Sequence, residues 1–185
     1  MDLQFAWISY DDIVDEFTKD NILAALAELA VELALAGERH EIVIAGGAAV
    51  VLLYGARTST KDVDAVAGDA AVFRAADRVG ARLGFPDGWL NDAAKGYAHG
   101  LAIGEPVFSS PSLTVRALAP KQLLAMKLSA WRDDIDIDDA RLLLSNLAGS
   151  HDQVWAMLEP YLVPGRELKA RYAFADLWEA KHGAP

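Results

Sequence analysis

Cysteine is absent from this 185-residue chain, so disulfides and thiolate metal sites are excluded, and nothing in it points to secretion. Basic residues are scarce. Lys and Arg number 17 against 27 Asp and Glu, a formal net charge of −10. That balance disfavours a general DNA or RNA binder, whose affinity comes largely from neutralising phosphates. It leaves room for local contact with a nucleic-acid end. A long apolar run is also missing. The most apolar window, Ile22 to Ala36, is interrupted by Glu28 and Glu32 and is shorter than the ~20 residues of a membrane span. The start, Met-Asp-Leu-Gln-Phe, lacks the basic flank of a signal peptide. The expectation is a soluble, cytoplasmic protein. A Walker-type Gly-Lys-Ser/Thr is absent, and no Ser-His-Asp or glycosidase constellation can be argued. His40, His99, His151 and His182 are scattered without ligand spacing. The acidic run from Asp133 to Asp139 lacks the glycine and glutamate of an EF-hand loop, so helix capping by Asp136 or Asp138 is its expected use.

What is present reads as an α+β chain: a small mixed β-sheet with flanking helices, then a C-terminal helical bundle. Its length suits one domain or a domain with a helical appendage. The expected division is an αβ core over 1–119 and a helical subdomain over 120–185. Residues 1–19 suggest a short helix or arm. Asp20 is a candidate cap for a helix to about Leu35, with Leu26, Leu29 and Leu33 on its core face and Gly37 as its stop. Glu41 to Ala45 and Asp62 to Val66 read as strands, and Ala48 to Tyr54 as a helix. A further helix runs from about Asp69 to Leu83. Phe85 to Gly100 reads as a loop, and Leu101–Ile103, Val107–Ser109 and Leu113–Ala117 as three short strands. Helices are expected over 120–131, 137–148, 151–161 and 166–181. Trp131, Trp155 and Trp178 are expected to seal the bundle, while Trp89, in the loop, is a candidate for base stacking.

The densest chemistry lies between residues 42 and 66. An apolar strand runs into Gly46-Gly47, and fifteen residues further on comes Asp62-Val63-Asp64. Side chains alternate along a strand, so Asp62 and Asp64 point to one face, with Cα atoms about 6.6 Å apart at a ~3.3 Å rise. Two carboxylates so placed can share one Mg²⁺ or hold two ions. Without a cation they repel, and one pKa rises. Gly46 and Gly47 let the backbone turn tightly and approach a ligand, and the N–H groups of the helix that follows favour an anion. Arg57 can grip phosphate oxygens as a planar fork, and Thr58 and Thr60 can add hydroxyl contacts.

This order of Ala45-Gly46-Gly47 and Asp62-Val63-Asp64 resembles the DNA polymerase β-type nucleotidyltransferase superfamily. The wider string from Gly46 to Asp64, with Tyr54-Gly55-Ala56-Arg57-Thr58-Ser59-Thr60-Lys61 inside it, resembles a bacterial branch near the abortive-infection nucleotidyltransferase toxins. A second segment is similar as well: Leu123 to Arg132, followed by Asp136-Ile137-Asp138-Asp139. The resemblance implies transfer of a nucleoside monophosphate from an NTP to an acceptor hydroxyl, with release of pyrophosphate. Asp62 and Asp64 would hold Mg²⁺ or Mn²⁺. Lys127 would steady the triphosphate, and Asp136, or Asp133 in its place, would supply a further acid. The acceptor would be a tRNA end, a protein hydroxyl or a small molecule, and the protein the toxin or antitoxin of a pair. Active members of the superfamily place a third carboxylate on a later strand, and Leu113 to Ala117 offers none. Glu105 and Asp92 are awkwardly placed. Either Asp133 or Asp136 substitutes from the helical side, or the scaffold binds nucleotide or a partner without turnover. A tRNA acceptor would call for a basic patch around Arg57, Lys61, Lys95 and Arg116.

Overall fold

The computed structural model describes residues 16–55 and 57–183. The helix or arm expected at the N-terminus lies, up to Asp15, outside the described residues. Beyond it, strand β1 (Phe17–Thr18) pairs antiparallel with β3 (Ser59–Thr60). Helix α1 (Lys19–Leu35) follows at once. Its cap is Thr18, whose Oγ1 accepts the Asn21 amide at 3.3 Å, and not Asp20. Because the chain leaves β1 directly into the helix, Asp20 already sits in the first turn, where its charge suits the positive dipole end. Ile22, Leu26, Leu29 and Leu33 recur at helical spacing and are buried.

The main sheet has five strands in the order β5-β4-β2-β7-β6. At its centre β2 (His40–Ile44) runs antiparallel to β4 (Val63–Ala67) and parallel to β7 (Leu113–Leu118), with Ile42 opposite Val115. Strand β5 (Leu90–Asn91) runs parallel to β4, and β6 (Ile103–Ser109) closes the far edge antiparallel to β7. The stretch expected to form strands 101–103 and 107–109 is one strand. Pro106 removes a ladder donor, and the pairing absorbs this by shifting register on either side of it, which is tolerated because β6 is an edge. The 85–100 stretch is more ordered than a loop. It contains β5 and a 3₁₀ turn, Ala93–Tyr97. Trp89 is 1% exposed and donates from Nε1 to the Ala76 carbonyl at 2.9 Å, so it is a core residue and not a stacking platform.

Helix α2 (Gly46–Tyr54) leaves β2 and is buried from Ala48 to Leu52; Gly55 ends it in the left-handed region at φ +61°. Helix α3 (Ala70–Leu83) lies beside α1, with Arg78 and Arg82 reaching Glu32 and Glu28 across the surface. Asp69 precedes α3 without capping it; its carboxylate pairs with His40, 3.0 Å away, whose other ring nitrogen faces Glu38 at 2.9 Å. Four helices follow the sheet: α4 (Pro120–Ala130), α5 (Asp134–Ser145), α6 (His151–Leu158) and α7 (Glu167–His182). Helix α5 starts earlier than expected, because Asp133, and not Asp136 or Asp138, is its cap and takes the Asp136 amide at 2.9 Å. Helix α4 is buried nearly all round. Its Gln122 is fully enclosed and ties down the preceding loop, donating to Gly100 and His99 carbonyls. The core of these helices is continuous with that beneath the sheet, from Leu124 and Leu143 through to Ile44 and Leu26. No helix among the described residues is long and apolar enough to cross a membrane.

Candidate functional site

The diglycine corner and the second aspartate are built against each other. The Ala45 amide donates to the Asp64 carbonyl at 2.8 Å, closing the end of the β2–β4 ladder. Gly46 follows at φ +62°, where a side chain is strained, and a Cβ there would lie 2.5 Å from Asp64 Oδ2. The carboxylate therefore occupies the space that glycine leaves. A Cβ at Gly47 would lie 2.5 Å from Thr60 Oγ1 and 2.8 Å from an Arg57 nitrogen, so the second glycine admits the 57–60 segment beneath the corner. Ala45, the residue before the helix, offers no side-chain cap to the first amides of α2.

These residues open onto a cleft of about 340 Å³, within the ~300–1,000 Å³ of small-molecule sites. Its lining divides by chemistry. Asp62, Asp64, Lys127, Arg132 and Asp136 are charged, and Gly46 lines the cleft with them. Ala93, Ala94, Leu123, Met126 and Ala130 are apolar, joined by Tyr97. Asp62 lies one residue before β4 and not within it, yet both aspartates reach the cleft.

The cations are held by a buried carboxylate pair from α5. Lys127 Nζ lies 2.8 Å from Asp136 Oδ1 and 2.7 Å from Asp139 Oδ2. Arg132 reaches Asp136 through Nε at 3.0 Å and through its backbone amide at 3.3 Å. That double contact depends on Trp131, which takes the left-handed conformation (φ +37°) at the end of α4 and turns the chain toward α5. Arg57 completes the set, donating to Asp139 at 3.3 Å and to the Ser59 carbonyl at 2.6 Å. Asp136 and Asp139 are 2% and 4% exposed, yet each has cationic partners. Burial pushes the Asp136 carboxyl up, but Lys127 and Arg132 outweigh it and hold the group below the usual carboxylate range. Asp64 goes the other way. Burial raises its pKa, the neighbouring Asp62 adds to the rise, and the Ala94 amide, Lys127 and Arg132 only partly offset it.

The expected site residues thus fall into two groups. Gly46, Asp62, Asp64, Lys127 and Asp136 line one cleft. Gly47, Arg57, Thr58 and Thr60 do not. Gly47 packs on Thr60 and Arg57, Thr60 is buried, Thr58 is exposed, and Arg57 spans to Asp139. Sequence reasoning missed Arg132, Asp139, Tyr97 and Asn91. Asp139 carried a signal, since it sits three residues after Asp136 on one helix face. The others come from loop, turn and edge positions with no periodicity. Asn91 stands on β5 in register with Asp64 and donates from Nδ2 to Asp62 Oδ2 at 3.2 Å.

Two adjacent carboxylates, neither in an ion pair among the described residues, fit a divalent cation. Among the described residues no group of three or more His, Cys, Asp or Glu is placed to hold one. Phosphate oxygens and water would complete its shell, as is usual for Mg²⁺. Glu105 and Asp92 are exposed and away from the pair's lining, and Arg116 on β7 pairs with Glu41.

No curated protein and no solved structure matches the chain. One family model does, over residues 21–152, which takes in the sheet, the cleft and helices α4 and α5. The chain belongs to that family, described as nucleotidyltransferase of unknown function (DUF6036).

Proposed function

We propose that the protein transfers a nucleoside monophosphate from an NTP to an acceptor hydroxyl, and that Asp62 and Asp64 hold the Mg²⁺ or Mn²⁺ this requires. The observation that carries this is the convergence of the glycine corner, both aspartates, Lys127 and Arg132 on one cleft. The divalent ion supplies charge neutralisation at the reacting phosphate when bound. Lys127 and Arg132 bind and orient the triphosphate, since they are the cations lining the cleft among the described residues. Asp136 is committed to both of them, so its part is to fix their positions and not to take a proton. The acceptor oxygen forms a bond to the α-phosphorus as the bond to the bridging oxygen breaks. Pyrophosphate leaves, and the hydroxyl proton passes to the carboxylate pair or to water. Of the four cations a tRNA acceptor would recruit, Arg57 and Arg116 are engaged with Asp139 and Glu41. That favours a protein or small-molecule hydroxyl. The resemblance to abortive-infection toxins supports a role as the toxin of a toxin–antitoxin pair.

The test is NMP transfer from α-labelled NTPs in the presence of Mg²⁺ and cell extract. Wild type labels an acceptor; Asp62→Asn and Asp64→Asn lose at least ~100-fold while remaining folded, because charge stabilisation is the main work of such a site. No labelling and no pyrophosphate release from wild type would overturn the proposal. One observation favours a second reading. The position beside Asp64 on the neighbouring strand is an amide, Asn91, and not a carboxylate. A nucleotide- or partner-binding module, acting as an antitoxin or regulator, would bind NTP without releasing pyrophosphate.

A further inference from the structure

Among the described residues the cleft is lined by one aromatic side chain, Tyr97, whose 3₁₀ turn packs against β4, the strand of Asp64. In a 3₁₀ turn residues i and i+3 share a face. Tyr97 thus shares a face with Ala94, and both line the cleft with Asp64. The ring is half-buried and lines the cleft. Arg166, exposed at the start of α7, lies over it with Cζ 5.6 Å from the ring centroid, which is cation–π range. The ring therefore comes from the sheet side and its cationic backing from the C-terminal helices.

We infer that Tyr97, backed by Arg166, is the nucleobase platform of the cleft, and that it holds the base by stacking without reading its hydrogen-bonding edge. This rests on the nucleotidyltransferase proposal and deepens it. Ala93, Ala94, Leu123, Met126 and Ala130 carry no hydrogen-bonding side-chain group apart from a weakly accepting thioether. A site discriminates strongly between ligands when its buried polar groups are left unpaired by the wrong one. Among the uncharged side chains of the lining only the Tyr97 hydroxyl could pair with a base, and it is one group that both donates and accepts. Stacking tolerates any base, because each has a π-face. The charged residues are occupied with phosphates and cation. The cleft thus takes purine and pyrimidine triphosphates alike, with purines favoured only by their larger ring.

Binding measured by calorimetry with ATP, GTP, CTP, UTP and inorganic tripolyphosphate, all with Mg²⁺, tests this. The four nucleotides should bind wild type within about ten-fold of one another, and tripolyphosphate more weakly than all of them. Tyr97→Ala should weaken every nucleotide by roughly ten-fold and leave tripolyphosphate unchanged. Tyr97→Phe should retain binding, and Arg166→Gln should give a smaller loss with the same pattern. If Tyr97→Ala fails to fold, Tyr97→Leu keeps apolar volume without the π-face and should show the same loss. The platform is overturned if these variants leave nucleotide binding intact, if they lower tripolyphosphate equally, or if one base is preferred by more than about 100-fold. Tripolyphosphate binding wild type as tightly as the nucleotides would remove the platform and leave the catalytic proposal standing. Binding of neither class to wild type would remove both.

Discussion

Lys127 bridges two buried carboxylates, each of which also has an arginine partner. Its ammonium lies between Asp136 and Asp139, both nearly inaccessible. Removing one partner of a buried ion pair leaves an uncompensated charge and typically costs about 3–5 kcal/mol. Arg132 and Arg57 still face the two carboxylates in Lys127→Met, so it should lower stability in urea denaturation by less than that, as well as abolishing transfer. A loss of activity with unchanged stability would show that the lysine serves phosphate alone. The α5 carboxylates also explain a mismatch with sequence expectation. Asp136 lines the cleft, yet its oxygens are taken by Lys127 and Arg132, so it acts as a clamp on cations. Arg57 was expected to grip phosphate, and in the structure its guanidinium spans to Asp139. Both differences have one cause. A free carboxylate or guanidinium in a half-buried place finds the nearest opposite charge, and sequence does not say which charge that is.

At the level of elements, the cleft depends on how closely α3 approaches β5. Gly80 faces Trp89, and a Cβ there would lie 2.8 Å from Trp89 Cδ1. Trp89 in turn stacks edge-on with Phe85 and packs near Phe17, which seats the segment leading into β5. Overpacking a core contact typically costs about 1–3 kcal/mol. Gly80→Ala, despite its higher helix propensity, should thus destabilise by about 1–3 kcal/mol and weaken nucleotide binding through displacement of Asn91 and the Tyr97 turn. If the variant is instead stabilised, the ring moves freely and β5 is not under this constraint. Element existence was largely readable, because apolar spacing marks α1 through Leu26, Leu29 and Leu33 whatever they pack on. Element ends were not. Thr18 and Asp133 became caps because their own backbone is extended where the helix begins. The candidates Asp20, Asp136 and Asp138 carry equally good capping side chains, but lie inside the helices.

Across the whole molecule, the charges shape stability against pH. His40 has a raised pKa, chiefly from Glu38 and opposed by burial, with Asp69 helping. Its contribution is complete below the ordinary value of 6.5 and is lost as pH rises through the folded value. Asp64, also raised, likewise favours the fold at the acid end and ceases to do so above its folded value. Asp136 is depressed, so its contribution is present above 3.8 and disappears as pH falls through its folded value. Stability should therefore peak on the acid side of neutrality. Melting temperatures taken across pH should show this, and His40→Gln should flatten the decline on the alkaline side. A profile unchanged in that variant would remove His40 from the account.

Sequence by itself determined what is local: a diglycine corner after a strand, two aspartates one residue apart, and helices whose apolar stripes needed a core. Spacing and backbone sterics act over a few residues, and they leave their mark in the order of the chain. Tertiary structure alone decided that Tyr97, Asn91 and Arg132 meet those aspartates, and that Asp139 draws Arg57 across 82 residues. Such meetings depend on which faces bury against each other and on where desolvated charges find partners, and both are settled only when the helices close over the sheet.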